Sequence, residues 1–71
     1  MPRKIRELKA DLRRAGFARL TGQGKGSHEK WKHDRLPDPV LLSGHDGDDA
    51  RPYQERNVRE AIRDAGEMER R

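Results

Sequence analysis

The centre of the chain reads Gly22-Gln23-Gly24-Lys25-Gly26-Ser27-His28-Glu29-Lys30-Trp31-Lys32-His33. Its glycines predict a turn, because glycine accepts backbone angles that other residues avoid. The residues after the turn predict a strand over Ser27 to His33. Successive side chains of a strand point to opposite faces, so His28 and the two lysines share one face and Trp31 lies on the other. This strand therefore offers Trp31 to a core and a cationic row to the opposite surface.

The residues before this strand predict a helix and a first strand. A helix is expected from Arg3 to Ala15, with Pro2 suited to its start. Gly16 is expected to cap its C-terminus. The first strand is expected over Phe17 to Thr21. The apolar side chains that recur at helical spacing form one stripe, which comprises Ile5, Leu8, Leu12 and Ala15.

The residues after it predict a third strand and a second helix. Val40-Leu41-Leu42 is the most apolar run and predicts the strand, and Ser43 to Arg51 predicts a polar loop. A helix is expected from Val58 to Ala65, with Asn57 and Glu60 as a capping box. Gly66 is expected to end it, and residues 67–71 are expected to fray.

This order predicts an α+β fold, α-β-β-β-α, in one domain over residues 1–71. Strands joined by short connections are expected to pair antiparallel. Each helix has a single apolar stripe, so both are expected to pack on one face of a three-stranded antiparallel sheet. The other face is then left open, and His28 lies on it.

The composition excludes several classes of protein. The chain has no cysteine, which excludes disulfide scaffolds, cysteine-based zinc sites and thiol nucleophiles. No apolar run approaches the roughly 20 residues that span a membrane, and no apolar signal segment follows the first Met. We therefore expect a soluble, cytoplasmic protein that makes no membrane contact and uses no cofactor.

The charge distribution favours a polyanionic partner. Residues 1–35 carry eleven Lys and Arg and four Asp and Glu, a net +7, whereas residues 36–71 carry a net −3. Basic side chains gain from the release of counterions when they bind phosphates. A solvated, solubilising surface explains the same charges. The cations expected to contact nucleic acid on the first helix are Arg6, Lys9 and Arg13.

The motif Gly-Ser-His-x-x-aromatic, here Gly26 to Trp31, resembles the HicA toxin family, as does the closing stretch Asn57 to Gly66. The likeness covers about residues 3 to 66. It implies a fold like the double-stranded-RNA-binding domain and an mRNA-cleaving toxin that a HicB-type antitoxin neutralises. It also implies that His28 is catalytic. The loop from Gly44 to Arg56 is longer and more acidic than is usual in the family, and its carboxylates would repel RNA if they lay on the binding face.

The chemistry of RNA cleavage fits these residues. RNA carries its own nucleophile, the 2′-hydroxyl, and histidine transfers protons well near neutral pH. Charge on the phosphate would be stabilised by nearby cations and loop amides. The residues expected to bind RNA around His28 are Lys25, Gly26, Ser27, Lys30 and Lys32.

Other side chains have plainer interpretations beside the functional ones. A strand histidine in place of His28 can simply bind phosphate or solvent. His33 is interpreted as structural, and His45 lies in a loop from which it could approach the site. Trp31 and Phe17 could stack on bases but are expected to be buried. The carboxylates near His45 lack the spacing of a calcium loop, so a solvated turn is expected and no metal site. They are Asp46, Asp48 and Asp49.

The sequence leaves three functions open. The first is an endoribonuclease toxin, and the second is a non-catalytic RNA-binding module of the same fold. The third is a protein-interaction adaptor that uses the acidic second half of the chain. The feature that favours the first over the second is His28 within its motif, because a pure binder would need only lysines there.

Overall fold

The computed structural model describes residues 3–20 and 28–69. Its elements follow one another as α1 (Ile5–Arg14), β1 (Ala18–Arg19), β2 (Glu29–Lys32), β3 (Val40–Leu42) and α2 (Pro52–Glu69). The strands form one antiparallel sheet in the order β1-β2-β3. The predicted α+β class and the α-β-β-β-α order are therefore confirmed.

The central strand, β2, separates a buried face of the sheet from an exposed one. Trp31 pairs with Val40 of β3 and lies on the buried face, where only 1% of its surface is exposed. Lys30 pairs with Leu41, which is 61% exposed. The alternation predicted from the sequence is thus confirmed, because side chains one residue apart on a strand point to opposite faces.

The first two strands are shorter than predicted. β1 comprises two residues and β2 four, whereas strands were expected over Phe17 to Thr21 and over Ser27 to His33. Thr21 and Ser27 lie outside the described residues. Phe17 is buried beside β1 and His33 is buried after β2, so both belong to the core without belonging to the ladder.

Both helices pack on the face of the sheet that carries Trp31. Their buried apolar side chains form one cluster with those of the strands, as the two helical stripes predicted. Fully burying one aliphatic side chain stabilises a fold by about 1.5–3 kcal/mol. The members from the helices and strands are Ile5, Leu8, Leu12, Trp31, Val40, Leu42, Val58 and Ala65.

Helix α1 ends at a glycine, as predicted. Gly16 has a φ of +94°, in the left-handed region that favours glycine. The N–H of Gly16 donates to the carbonyl of Arg13 at 3.1 Å, and the N–H of Phe17 donates to the carbonyl of Leu12 at 2.9 Å. This pair of bonds is the Schellman motif, which satisfies carbonyls left free at the helix end.

The acidic loop before α2 holds the start of α1. The N–H groups of Ile5 and Arg6 donate to the carbonyls of Asp48 and Asp46, at 2.9 and 3.1 Å. These N–H groups have no partner within their own helix. The loop therefore completes the first turn of α1 with its backbone.

The predicted start of α1 at Arg3 is wrong by two residues. The carbonyl of Arg3 accepts a hydrogen bond from the N–H of Ala50 at 2.6 Å, and Lys4 forms a β-bridge with Asp49. This pairing keeps the segment extended up to the residue before Ile5. Pro2, expected near the helix start, lies outside the described residues.

The predicted bounds of the second helix are also wrong, because α2 begins six residues earlier, at Pro52. Proline suits the first position of a helix. Gln54, two residues on, accepts a hydrogen bond from the N–H of Arg51 at 2.8 Å, which caps the helix. Asn57 therefore lies within the helix and caps nothing.

Gly66 does not end α2, which continues to Glu69. His33 holds this last turn, since its Nε2 lies 3.2 Å from Oε1 of Glu69. Residues 67–69 are therefore helical rather than frayed, and residues 70–71 lie outside the described part. Within residues 3–20 and 28–69, neither helix combines the length and apolar character that crossing a bilayer requires.

Candidate functional site

His28 lies immediately before β2 and is exposed. It lines a groove of about 960 Å³ between the sheet, the connection 36–39 and α2, here called the His28 groove. The position of His28 is set by the last pair of the ladder, in which Glu29 faces Leu42. This pair with β3 supports the backbone next to the imidazole, whereas β1 pairs farther along β2, at Trp31 and Lys32.

The two ends of the His28 groove differ in charge. Lys30 lines the groove on the same side of β2 as His28, and its side chain is exposed. Helix α2, which packs against β3, contributes Glu60 and Asp64 to the same groove. Between them, β3 and the connection before it contribute apolar side chains such as Leu41. A phosphate would therefore be attracted to the His28 end and repelled from the α2 end.

Lys32 differs from Lys30 although both were predicted to bind RNA. The ammonium of Lys32 donates to the carbonyl of His33 at 3.1 Å and also to the carbonyl of Leu36. Its side chain is half-buried as a result. The structure thus places Lys32 at the turn after β2, where it ties two backbone carbonyls together.

A second cavity, here called the cationic cleft, lies beside α1. Its volume is about 390 Å³. Glu29 lines both this cleft and the His28 groove, so the two cavities meet at the start of β2. The guanidinium of Arg13 lies 5.2 Å from the centroid of the Trp31 ring, within the range of a cation–π contact. The cations that line the cleft are Arg6, Lys9, Arg13 and Arg19.

Lys9 is buried at the back of this cleft. Its ammonium donates to Oε2 of Glu29 at 2.9 Å and to Oδ1 of Asp46 at 2.5 Å. Burial by itself lowers the pKa of Lys9, but the hydrogen bonds to Asp46 and Glu29 outweigh it and raise that pKa above its usual value. Lys9 was predicted to lie on a free flank, and the structure instead gives its charge two carboxylate partners.

The sequence contained a signal for this burial. Lys9 follows Ile5 by four residues and precedes Leu12 by three, which puts it at the edge of the buried stripe of α1. Glu29 alternates with Lys30, so it was expected on the same face as Trp31. Two charged residues expected near one core are candidates for an ion pair, because a buried charge is costly without a partner.

The carboxylates of the acidic loop bind groups of the protein itself. Asp46 binds Lys9, and the hydrogen bond from Lys9 lowers the pKa of Asp46. Asp49 binds Lys4 at 2.5 Å, and Asp48 accepts the N–H of His45 at 2.9 Å. Among the described residues, no group of three or more acidic or histidine side chains is placed to hold a metal ion.

The two other histidines, His33 and His45, lie in different surroundings. His33 is buried, and its ring meets that of Phe17 edge-on with centroids 5.0 Å apart. The N–H of Arg35 donates to Nδ1 of His33 at 3.0 Å. These contacts agree with the structural interpretation of His33. His45 is exposed and lines the cationic cleft, not the groove of His28.

Part of the predicted site lies in the stretch 21–27. Lys25, Gly26 and Ser27 lie outside the described residues, so their contribution to RNA binding stays a prediction. Trp31 and Phe17 are both buried in the core, as expected.

Comparison with protein families identifies a relationship over most of the chain. The chain matches the family described as the HicA toxin of bacterial toxin-antitoxin over residues 5–67. This range includes both helices almost entirely and all three strands. The chain belongs to the HicA toxin family.

Comparison with curated proteins finds no match, and comparison with solved structures finds none either. HicA proteins are toxins of toxin–antitoxin systems, so a cognate antitoxin is the partner that membership implies.

In this HicA-family protein the arrangement joins three chemical elements. The exposed imidazole of His28 can exchange protons with solvent or a ligand, and the ammonium of Lys30 can bind a phosphate. The cationic cleft, which shares Glu29 with the His28 groove, supplies further positive charge. Tyr53 and Asn57 also line the His28 groove, and the sequence had not indicated either as a site residue. Both residues are part of α2 because this helix begins at Pro52, earlier than predicted.

Proposed function

We propose that this HicA-family toxin is a metal-independent endoribonuclease that cuts mRNA, with His28 as its acid–base catalyst. The observation that carries the proposal is the exposed position of His28, beside Lys30, in a groove large enough for a nucleotide. Ligand pockets commonly range from about 300 to 1,000 Å³. The family motif around His28 supports the same assignment.

The proposed reaction is an attack by the 2′-oxygen of RNA on the adjacent phosphorus. The 2′-hydroxyl loses its proton, the bond from the 2′-oxygen to phosphorus forms, and the bond to the 5′-oxygen breaks. The departing 5′-oxygen takes up a proton. His28 takes part in one or both of these transfers, and general acid–base assistance is worth typically 10²–10⁴-fold. The products are a 2′,3′-cyclic phosphate and a 5′-hydroxyl.

Electrostatic contacts supply the rest of the proposed mechanism. Lys30 would stabilise the charge that develops on the cut phosphate. Arg6 and Arg13, both exposed along the cationic cleft, would bind neighbouring phosphates of the same strand. Lys25 and the amides of Gly26 and Ser27 would act from the glycine-rich turn.

The deciding experiment is cleavage of a labelled single-stranded RNA in EDTA. Wild-type protein is expected to cut, and His28→Ala is expected to lose at least a hundredfold in rate, the lower end of the range for acid–base assistance. Arg56→Ala is the matched control, since Arg56 is exposed but lines neither the His28 groove nor the cationic cleft. Cleavage by His28→Ala at the wild-type rate would contradict the assignment.

A second candidate function is a non-catalytic RNA-binding module, which the cationic cleft by itself would favour. It predicts that RNA binding is salt-sensitive and that RNA stays intact with wild type, with His28→Ala and with the control variant. It also predicts a modest effect of His28→Ala on affinity. If RNA is neither bound nor cut, the acidic half of the chain as a protein-binding surface becomes the better explanation.

The proposed antitoxin is of the HicB type and covers the face that carries His28. Blocking access to the catalytic side chain is the simplest way to inhibit such an enzyme. Addition of the antitoxin is expected to abolish cleavage and to protect the backbone amide of Lys30 from hydrogen exchange. Protection confined to the cationic cleft would place the antitoxin on α1 instead.

A further inference from the structure

We propose that the wall of the His28 groove formed by α2 is the base-binding subsite, in which Tyr53 stacks on one unpaired base beside the cut phosphate. This inference rests on the proposed function and deepens it, because it assigns a residue that selects the substrate. Tyr53 and His28 line the same cavity although they are 25 positions apart in the chain. Sequence-specific recognition of RNA commonly uses unpaired bases stacked on aromatic rings.

Tyr53 is available for such a contact. Its side chain is 46% exposed, whereas Phe17 and Trp31, the other residues of the phenylalanine, tyrosine and tryptophan class, are 4% and 1% exposed. A large, exposed aromatic side chain in a concave site is a suitable platform for a base, because every base has a π-face. Tyr53 is therefore the aromatic side chain of this protein that a base can reach.

The backbone that carries Tyr53 is held in place before any RNA binds. Its neighbour Gln54 is 3% exposed and bridges the helix start to the end of β3. Nε2 of Gln54 donates to the carbonyl of Ser43 at 2.9 Å, and its Oε1 accepts the N–H of Arg51 at 2.8 Å. A platform that is already ordered loses little conformational freedom on binding, which favours affinity.

The charges of the groove determine which part of a nucleotide lies where. Glu60 and Asp64 follow Tyr53 along the same wall, and ionised carboxylates only accept hydrogen bonds. They repel phosphate but accept the amino groups of bases. The phosphate therefore belongs at the end with His28 and Lys30, and the base belongs against α2.

Asn57 gives this wall a means of selection. It lies one turn after Tyr53 and also lines the groove, and its amide can both donate and accept. Together with the carboxylates it favours a base that carries an exocyclic amino group. We therefore expect adenine, cytosine or guanine to be preferred over uracil beside the cut.

The test compares RNA oligonucleotides that differ only in the base next to the cleaved phosphate. Tyr53→Leu is expected to lower kcat/KM on the preferred base by roughly tenfold or more, as loss of one base stack does. Tyr53→Phe keeps the ring and is expected to stay within about twofold of wild type. Asn57→Ala is expected to reduce the discrimination against uracil.

Arg56→Ala is the matched control, because Arg56 is exposed on the same helix but does not line the groove. It is expected to leave the base preference unchanged. If Tyr53→Leu cuts every oligonucleotide as wild type does, the base-binding assignment is overturned while the proposed ribonuclease function stands.

A measurement that does not depend on cleavage separates the two proposals. Tyr53 is the single tyrosine, so its ring signals in an NMR spectrum need no further assignment. Titration with 2′-O-methyl tetranucleotides, whose nucleophile is blocked, is expected to shift those signals upfield. A ring shift in a protein that cuts no RNA supports the base subsite and removes the enzyme, and an unshifted ring beside shifted Lys30 signals overturns the subsite.

The other possible occupant of this wall is a segment of the antitoxin. If Tyr53→Leu retains the wild-type cleavage pattern but escapes neutralisation by the antitoxin, the wall binds polypeptide and the base-binding proposal is overturned. If Tyr53→Leu loses its base preference and is still neutralised, the wall belongs to the substrate.

Discussion

The ion pair between Lys9 and Glu29 gives the most direct test of how this small core is stabilised. Both side chains are largely buried, at 10% and 17% exposed, and the ammonium lies 2.9 Å from the carboxylate. Lys9→Met keeps the length of the side chain but removes its charge. Among residues 3–20 and 28–69, Glu29 then keeps only the guanidinium of Arg19, at 3.6 Å, as an ion-pair partner. The loss leaves a buried carboxylate with a weaker, more exposed partner.

The expected size of the effect follows from these contacts. A hydrogen bond to a charged group contributes about 1.5–3 kcal/mol. Since Arg19 still pairs with Glu29, we expect Lys9→Met to lower the free energy of unfolding by about 2 kcal/mol. The double variant Lys9→Met, Glu29→Gln is expected to lose less than the sum of the two single variants, by about 1–2 kcal/mol. Replacing both charges removes the uncompensated carboxylate.

Urea denaturation followed by the fluorescence of Trp31 measures these values, because Trp31 is the single tryptophan and is buried. Lys4→Met is the control: its ammonium binds Asp49 in an exposed pair, and such pairs contribute about 1 kcal/mol or less. Equal losses for Lys4→Met and Lys9→Met, or strictly additive losses in the double variant, would refute the reasoning. An unchanged salt slope of RNA binding in Lys9→Met would confirm a structural role over a phosphate contact.

Three further outcomes are expected. The hydrogen bond from Arg3 holds the pKa of Asp11 below its usual value. The ionised carboxylate therefore stabilises the folded state above about pH 4. This stabilisation is lost as the pH falls through the lower pKa that Asp11 has in the folded protein. Urea midpoints between pH 7 and pH 3 should therefore fall less for Asp11→Asn than for wild type. Gly16→Ala should lower stability by about 1–2 kcal/mol in thermal melts, because φ is +94° and the new Cβ would lie 3.2 Å from Nε2 of His33. Lys30→Gln should reduce the salt slope of RNA binding by about 1, whereas Lys32→Gln, whose ammonium is bound to backbone carbonyls, should leave the slope unchanged and lower stability.

The elements that could be predicted are those with a strong local pattern. The spacing of Leu8 and Leu12 identified α1, and the cap at Gly16 marked its end, because both signals act within a few residues. The period of two around Trp31 placed that ring in the core. By contrast, the capping pattern at Asn57 predicts a start for α2 that is six residues too late. The true start at Pro52 is held in part by the hydrogen bond from Gln54 to Ser43, a contact that depends on packing against the end of β3.

The candidate site could be predicted only on one side. The motif identified His28, and alternation put Lys30 beside it, because neighbours on one strand keep a fixed relation. The opposite wall, with Tyr53, comes from α2, and its position depends on how that helix packs against β3. No periodicity within either segment indicates that approach.

By itself, the sequence determined the order of helices and strands, the face of β2 that carries His28, and the family to which the chain belongs. These follow from short-range geometry and from a motif. Only the tertiary structure decided that Lys9 is bound by Glu29 and Asp46, which lie 20 and 37 positions away. The reason is physical: a charge at the edge of a buried stripe needs a partner, and only packing brings that partner within hydrogen-bonding distance.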